Sequence, residues 1–241
     1  MSRVLETKKR WKARFSIHPD GIAVSKVLNL PDVTLVTESG GGSTSVTSIE
    51  ITTPILSFVD AINNSQRMAN RCTDILSFVS GYGVTCSLNQ INEIGDGGAA
   101  KTGAIDFSAD ASIVKPEEVD LARPAFLRVI KEKDEKLARQ LSHFRRGISS
   151  LDIIEQIREF YQIMEDEYGE NDPKTEEYKY VRHLVSHPDL CRPDAKAAAI
   201  AMLGKSYLDP SEPNDMSALS NHLANLKNDA KSIIESKIQR C

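Results

Sequence analysis

One short stretch gathers the side chains best suited to chemistry. In Tyr178–Leu190, YKYVRHLVSHPDL, an arginine and two of the chain's five histidines fall within six residues, and Pro188 follows directly. A guanidinium stays charged at physiological pH and presents a fork of N–H donors that matches phosphate oxygens. An imidazole, with an ordinary pKa near ~6.5, gives or takes a proton at neutral pH. Together they are the minimum for cleaving an RNA phosphodiester without a metal. One group moves the proton at the 2′-hydroxyl or the leaving 5′-oxygen, and the other stabilises charge on the phosphorus oxygens. Arg182, His183 and His187 are therefore the residues whose types could do this chemistry. On a helix advancing ~100° per residue, Tyr178, Val181 and Val185 define the buried face, and Arg182, His183, Ser186 and His187 turn away from it. Arg182 and Ser186, like His183 and His187, are i,i+4 neighbours on that face. The structural alternative is that His187, before the proline, only caps the helix end with its ring.

A second basic stretch, LSHFRRGISS, places His143, Arg145 and Arg146 just before a glycine. Cations at a helix C-terminus gain a few tenths to ~1 kcal/mol from the helix dipole, which is explanation enough for their presence. The functional alternative makes Arg145 and Arg146 contacts to an RNA backbone. The loop GDGGAAKT, Gly95–Thr102, is one residue from the phosphate-binding G-x-x-x-x-G-K-[ST] pattern. Ala100 replaces the second glycine and GAIDFSAD, which is no helix, follows, so a surface loop is the better reading. No cofactor and no metal is expected. Cys72, Cys86, Cys191 and Cys241 have no C-x-x-C spacing and no clustering with histidine, and read as free thiols.

The elements that must position these groups follow from periodicity. Residues 11–53 read as strands: RFSIHPDGIAVSKV alternates around a Pro-Asp-Gly turn, and VTLVTESGGGSTSVTSIEIT is a hairpin with a glycine-rich tip. From Ser57 to Ser80 the period becomes helical, with Phe58, Ile62, Ala69, Cys72, Leu76 and Val79 as the apolar stripe and Gly81 as the stop. VTCSLNQINEI and GAIDFSA read as short strands. After Pro116 the chain reads as helical: 117–146 with a break near Pro124, then 151–168 burying Ile153, Ile157, Phe160, Tyr161 and Met164, then the motif helix after Pro173, an alanine-rich helix closed by Gly204, and a last helix over 215–238. The expected fold class is α+β. A small β-rich N-terminal region, residues 1–115, carries helix 57–80 and precedes an all-α bundle over residues 116–241.

At 241 residues with 40% hydrophobic content the chain can bury a real core. Its net charge of −4 argues against non-specific coating of nucleic acid, so a polyanion must meet a local basic face. Charge is segregated. Residues 121–150 carry eight Lys/Arg against three acids, net +5, and residues 151–180 carry ten acids against three bases, net −7. The basic start MSRVLETKKRWKAR lacks the apolar run of a signal peptide and no stretch is apolar enough to span a bilayer, so the expectation is a cytoplasmic protein with no membrane partner.

RHLVSH resembles the R-(polar)-x-x-x-H signature of HEPN domains, with Arg182 at the arginine, His183 at the polar position and His187 at the histidine. Upstream, HFRRGISSLDIIEQIREFYQIMEDEY is similar to the helix pair of ApeA-like HEPN domains, and the resemblance covers about residues 121–240. The order of strands, one helix and then a bundle is also similar to MauJ-type proteins of methylamine-utilisation clusters. The resemblance implies an HEPN-like bundle and a homodimer whose motif helices face each other. It also implies metal-independent endoribonuclease activity on single-stranded RNA or tRNA in a toxin or antiphage defence system. Arg182 and His187 would be catalytic and His183 supporting. Other members of that superfamily keep the fold and only bind. The alternative is therefore a non-catalytic binding or accessory protein with an operon-encoded partner, in a metabolic or sensor role. The chain's overall acidity favours this second reading.

Overall fold

The computed structural model describes residues 9–18, 22–26, 29–40, 43–55, 57–94, 103–104, 119–120, 123–186, 193–204, 209 and 212–240. The chain is mixed α+β and divides into two compact units, Met1–Lys133 and Asp134–Cys241.

The first unit is a sheet covered by a helix. Its strands are β1 (Arg10–His18), β2 (Ile22–Lys26), β3 (Asn29–Leu30), β4 (Val33–Gly40), β5 (Ser43–Pro54), β6 (Thr85–Ile94), β7 (Gly103–Ala104) and β8 (Val119–Asp120). The central order is β3-β4-β5-β1-β6-β7, with antiparallel pairs throughout, while β2 pairs with β5 and, in parallel, with β8. Period-two alternation sets the inner face. Trp11, Ala13, Phe15 and Ile17 of β1 are buried between the partners Thr53, Ile51 and Ile49 on one side and Ile91 on the other. The hairpin read from the glycine-rich segment is β4–β5, paired from Val33↔Ile51 to Gly40↔Ser43 with a one-residue register shift between Val36 and Thr37. The Pro-Asp-Gly segment lies outside the described residues, and among the described residues the strands on either side of it are not paired with each other. β1 lies along Ser48–Pro54 of β5 and β2 along Ser45–Val46 of the same strand, because one twelve-residue strand is long enough to template both.

Helix α1 (Phe58–Ser80) begins at Ser57, whose Oγ accepts from Asp60 N–H, and ends at Gly81 with φ 75°. Its buried stripe runs through Ala61, Ser65, Ala69, Cys72, Ile75 and Leu76. The expected stripe members Phe58 and Ile62 lie off it, and Phe58 instead packs on Trp11 with ring centroids 5.3 Å apart. The helix expected over 117–146 is two: α2 (Pro124–Ile130) and α3 (Glu135–Ser149). α2 belongs to the first unit, where the buried Arg71 guanidinium of α1 donates to Val129 O at 2.7 Å. The first compact unit runs to Lys133, past the 115/116 step read from the change of periodicity.

The second unit is built, among the described residues, from α3, α4 (Ile153–Tyr168), α5 (Pro173–Ser186), α6 (Pro193–Leu203) and α7 (Pro213–Gln239). Asp134 and Asp152 cap α3 and α4 through side-chain oxygens. The core gathers Leu141 and Phe144 of α3, Ile157, Phe160, Tyr161 and Met164 of α4, Val181 and Leu184 of α5, and Leu226, Ala230 and Ile234 of α7. α3 and α4 approach closely at Gly147, where a Cβ would lie 2.8 Å from Phe160 Cζ. Charge tightens the same helices. Glu167 of α4 pairs with Lys136 of α3 at 2.9 Å and with Lys237 of α7 at 2.5 Å. Burial alone would raise the Glu167 carboxyl, but hydrogen bonds from Lys237 and Lys136 outweigh it and hold the pKa at about 2.

Candidate functional site: the α5 helix

α5 starts where the sequence reading put it, at Pro173, and the turn before it is fixed by side chains. Asp172 Oδ1 accepts from Lys174 N–H at 2.9 Å, and the buried Thr175 hydroxyl donates to Gly169 O at 2.8 Å. This anchoring sets the helix rotation. Tyr178, Val181, Leu184 and Val185 are buried, an arc that contains the three expected residues and adds Leu184. Arg182 and His183 lie beyond its edges and are half-buried, not fully turned to water.

Arg182 has a partner that sequence did not supply. Its guanidinium carbon stands 5.4 Å from the centroid of the Tyr161 ring on α4, within cation–π range. Tyr161 is buried and its hydroxyl has no hydrogen-bond partner among the described residues. Burial pushes its pKa up to about 12, Glu165 adds to this, and the Arg182 charge opposes it. Among the described residues Arg182 makes no ion pair, so its N–H fork is not committed to a carboxylate. Glu170, at the start of the α4–α5 turn, is held below the usual carboxylate range by Lys179, with smaller contributions from Arg182 and His183. His187 lies outside the described residues, as does the loop Gly95–Thr102.

One turn before Arg182, Tyr178 connects α5 to α7. Its hydroxyl donates to the Asp229 carboxylate, and its ring meets His222 edge-on at 5.1 Å. His222 is buried, and desolvation pulls its pKa down to about 4, so the ring is neutral at physiological pH. Tyr178 and Asp229 also line an open groove of about 490 Å³ with Lys174 of α5 and with Ser232 and Arg240, so two cations and a carboxylate share its wall.

The other expected site residues lie on α3. Arg145 is half-buried and Arg146 is exposed. The Arg146 guanidinium meets Glu159 of α4 through Nε at 3.2 Å, and the neighbouring His143 Nδ1 lies 2.7 Å from the same carboxylate oxygen. Sequence reasoning missed Glu159, Tyr161, His222 and Asp229 as polar participants. The one available signal was His222, a titratable residue inside the apolar period of α7. Among the described residues no group of three or more His, Cys, Asp or Glu could hold a metal ion, and no helix is long and apolar enough to cross a membrane.

Comparison of the chain with protein-family models, with curated proteins and with solved structures finds no match.

Proposed function

We propose that the protein is an HEPN-type, metal-independent endoribonuclease that cleaves single-stranded RNA or tRNA as a homodimer. Arg182 stabilises charge on the phosphate, His187 moves the proton, and His183 supports them. The observation that carries the reading is the state of Arg182, a guanidinium seated on the Tyr161 ring with no ion pair among the described residues. A cation placed this way is positioned without being neutralised, which is what a phosphate-binding arginine requires. The groove beside α5, with Lys174 and Arg240, supports a polyanionic substrate over a small neutral one. Pairing of two such helices across a two-fold axis would double the arginine and histidine complement in one cleft. A toxin or antiphage setting in the cytoplasm fits this chemistry, with an operon-encoded protein as a further partner.

The test is digestion of total RNA by the purified full chain in EDTA, beside the Arg182→Ala/His187→Ala double variant. Cleavage by the wild type alone is the expected result. Equal cleavage by both proteins, or none by either under dimeric conditions, removes the nuclease and leaves a non-catalytic binding protein of the same fold.

A further inference from the structure

The polar cluster between α3 and α4 is separate from Arg182. Glu159 and Tyr161 are two residues apart on α4 and so ~200° apart around it, one meeting α3 and the other α5. An imidazole nitrogen carries either a proton or a lone pair, and makes one in-plane hydrogen bond accordingly. Nδ1 of His143 nevertheless has two neighbours at that range, Glu159 Oε2 at 2.7 Å and Arg146 Nη2 at 2.8 Å. With the proton on Nδ1, the ring donates to Glu159 and confronts an N–H of Arg146. With the lone pair there, it accepts from Arg146 and confronts a carboxylate oxygen. Either state leaves one contact between like polarities.

With the proton on Nδ1, the cluster is one acceptor short. The side chains of His143 and Glu159 are only 14% and 12% exposed, so an added acceptor has to come from the Arg146 side. Arg146, by contrast, is 49% exposed, and its remaining N–H groups have no partner among the described residues. The other ring nitrogen of His143, Nε2, likewise makes no hydrogen bond among the described residues. An oxyanion lying against both would accept from the guanidinium and draw Nη2 away from Nδ1. Nε2–H of the imidazolium would donate to the same anion, its proton coming from water, and Nδ1–H would donate to Glu159. Every contact then joins a donor to an acceptor, and the guanidinium fork suits a phosphate oxygen pair.

We propose that His143, Arg146 and Glu159 form a phosphate-binding site on α3 and α4, in which His143 and Arg146 contact the phosphate and Glu159 positions the ring. The proposal stands independently of the role assigned to Arg182.

The test reads the imidazole nitrogens of the full chain by ¹⁵N–¹H correlation at pH 7, with the His143 signals identified by their loss in His143→Gln. Orthophosphate and dimethyl phosphate are titrated in separate arms, which distinguishes a terminal phosphate from a chain phosphodiester, with potassium chloride at matched ionic strength as control. The expected result is a saturable move of His143 Nε2 towards the protonated position in at least one phosphate arm and none with chloride. Arg146→Lys keeps the charge and the fold and weakens the response at least tenfold, as does Arg146→Gln. Glu159→Gln alters the Nδ1 signal. Lys12→Gln, in the other unit, removes one cation and changes nothing. No phosphate-specific move, or an equal move in Arg146→Lys, overturns the proposal.

Discussion

Replacing Gly147 with alanine sets helix propensity against packing, and the structure decides the sign. Alanine in a helix interior gains ~0.5–1 kcal/mol over glycine from backbone entropy alone. At Gly147 the added Cβ would sit 2.8, 2.9 and 3.2 Å from Phe160 Cζ, Cε1 and Cε2. Carbon atoms rest at ~3.5–4.0 Å, so helix or ring must yield by ~0.7 Å or more. The ring has nowhere to go, because Phe160 is buried and Phe144 holds it edge-on at 5.5 Å. Overpacking of this kind costs about 1–3 kcal/mol, which leaves a net loss of ~1–2 kcal/mol after the propensity gain. Urea unfolding followed by far-UV circular dichroism measures it. Fluorescence of Trp11, the chain's single tryptophan, reads the other unit and serves as an internal control. In a Phe160→Leu background the smaller side chain opens the contact, and the same Gly147→Ala change should stabilise by ~0.5–1 kcal/mol. Stabilisation in the wild-type background, or equal effects in the two backgrounds, refutes the close-approach argument.

Glu167→Gln should destabilise the chain at neutral pH by ~1–2 kcal/mol, the full shift being discounted for solvent screening. Because the folded pKa of Glu167 is about 2 against an ordinary 4.5, its contribution is complete above 4.5 and lost as pH falls towards 2, so the variant's stability should fall less steeply in that window. His222 has the opposite charge logic. Its folded pKa of about 4 lies below the ordinary 6.5, so stability is retained above 6.5 and declines as pH falls to 4. His222→Leu should flatten that decline in pH-dependent urea midpoints, and an unchanged slope would remove His222 as its source. Cys72 is a buried thiol whose pKa is pushed up to about 12 by burial, with Cys86 and Asp74 adding to it. In a chain whose other three cysteines are serine, a thiol reagent should leave Cys72 unmodified until denaturant is added, and rapid native labelling contradicts its burial.

The sequence by itself determined what depends on neighbours along the chain. Ser57 and Gly81 bracket α1 because a side-chain acceptor and a left-handed residue satisfy helix ends locally. The β4–β5 hairpin follows from two β-branched runs around glycines, and α5 begins at Pro173 because proline suits a first helical turn. The buried face of α5 was legible for the same reason, since Tyr178, Val181 and Val185 repeat at helical spacing.

Only the tertiary structure decided which elements meet. That β1 and β2 share β5 depends on a strand outlasting its partner, and that α2 joins the first unit depends on Arg71 capping it from 58 residues away. Arg182 rests on Tyr161, and His143 on Glu159, because α4 turns those two side chains to opposite neighbours. Periodicity tells which side of a helix is apolar. It carries no information about which helix lies against that side, and the polar groups at such contacts take their chemistry from that neighbour.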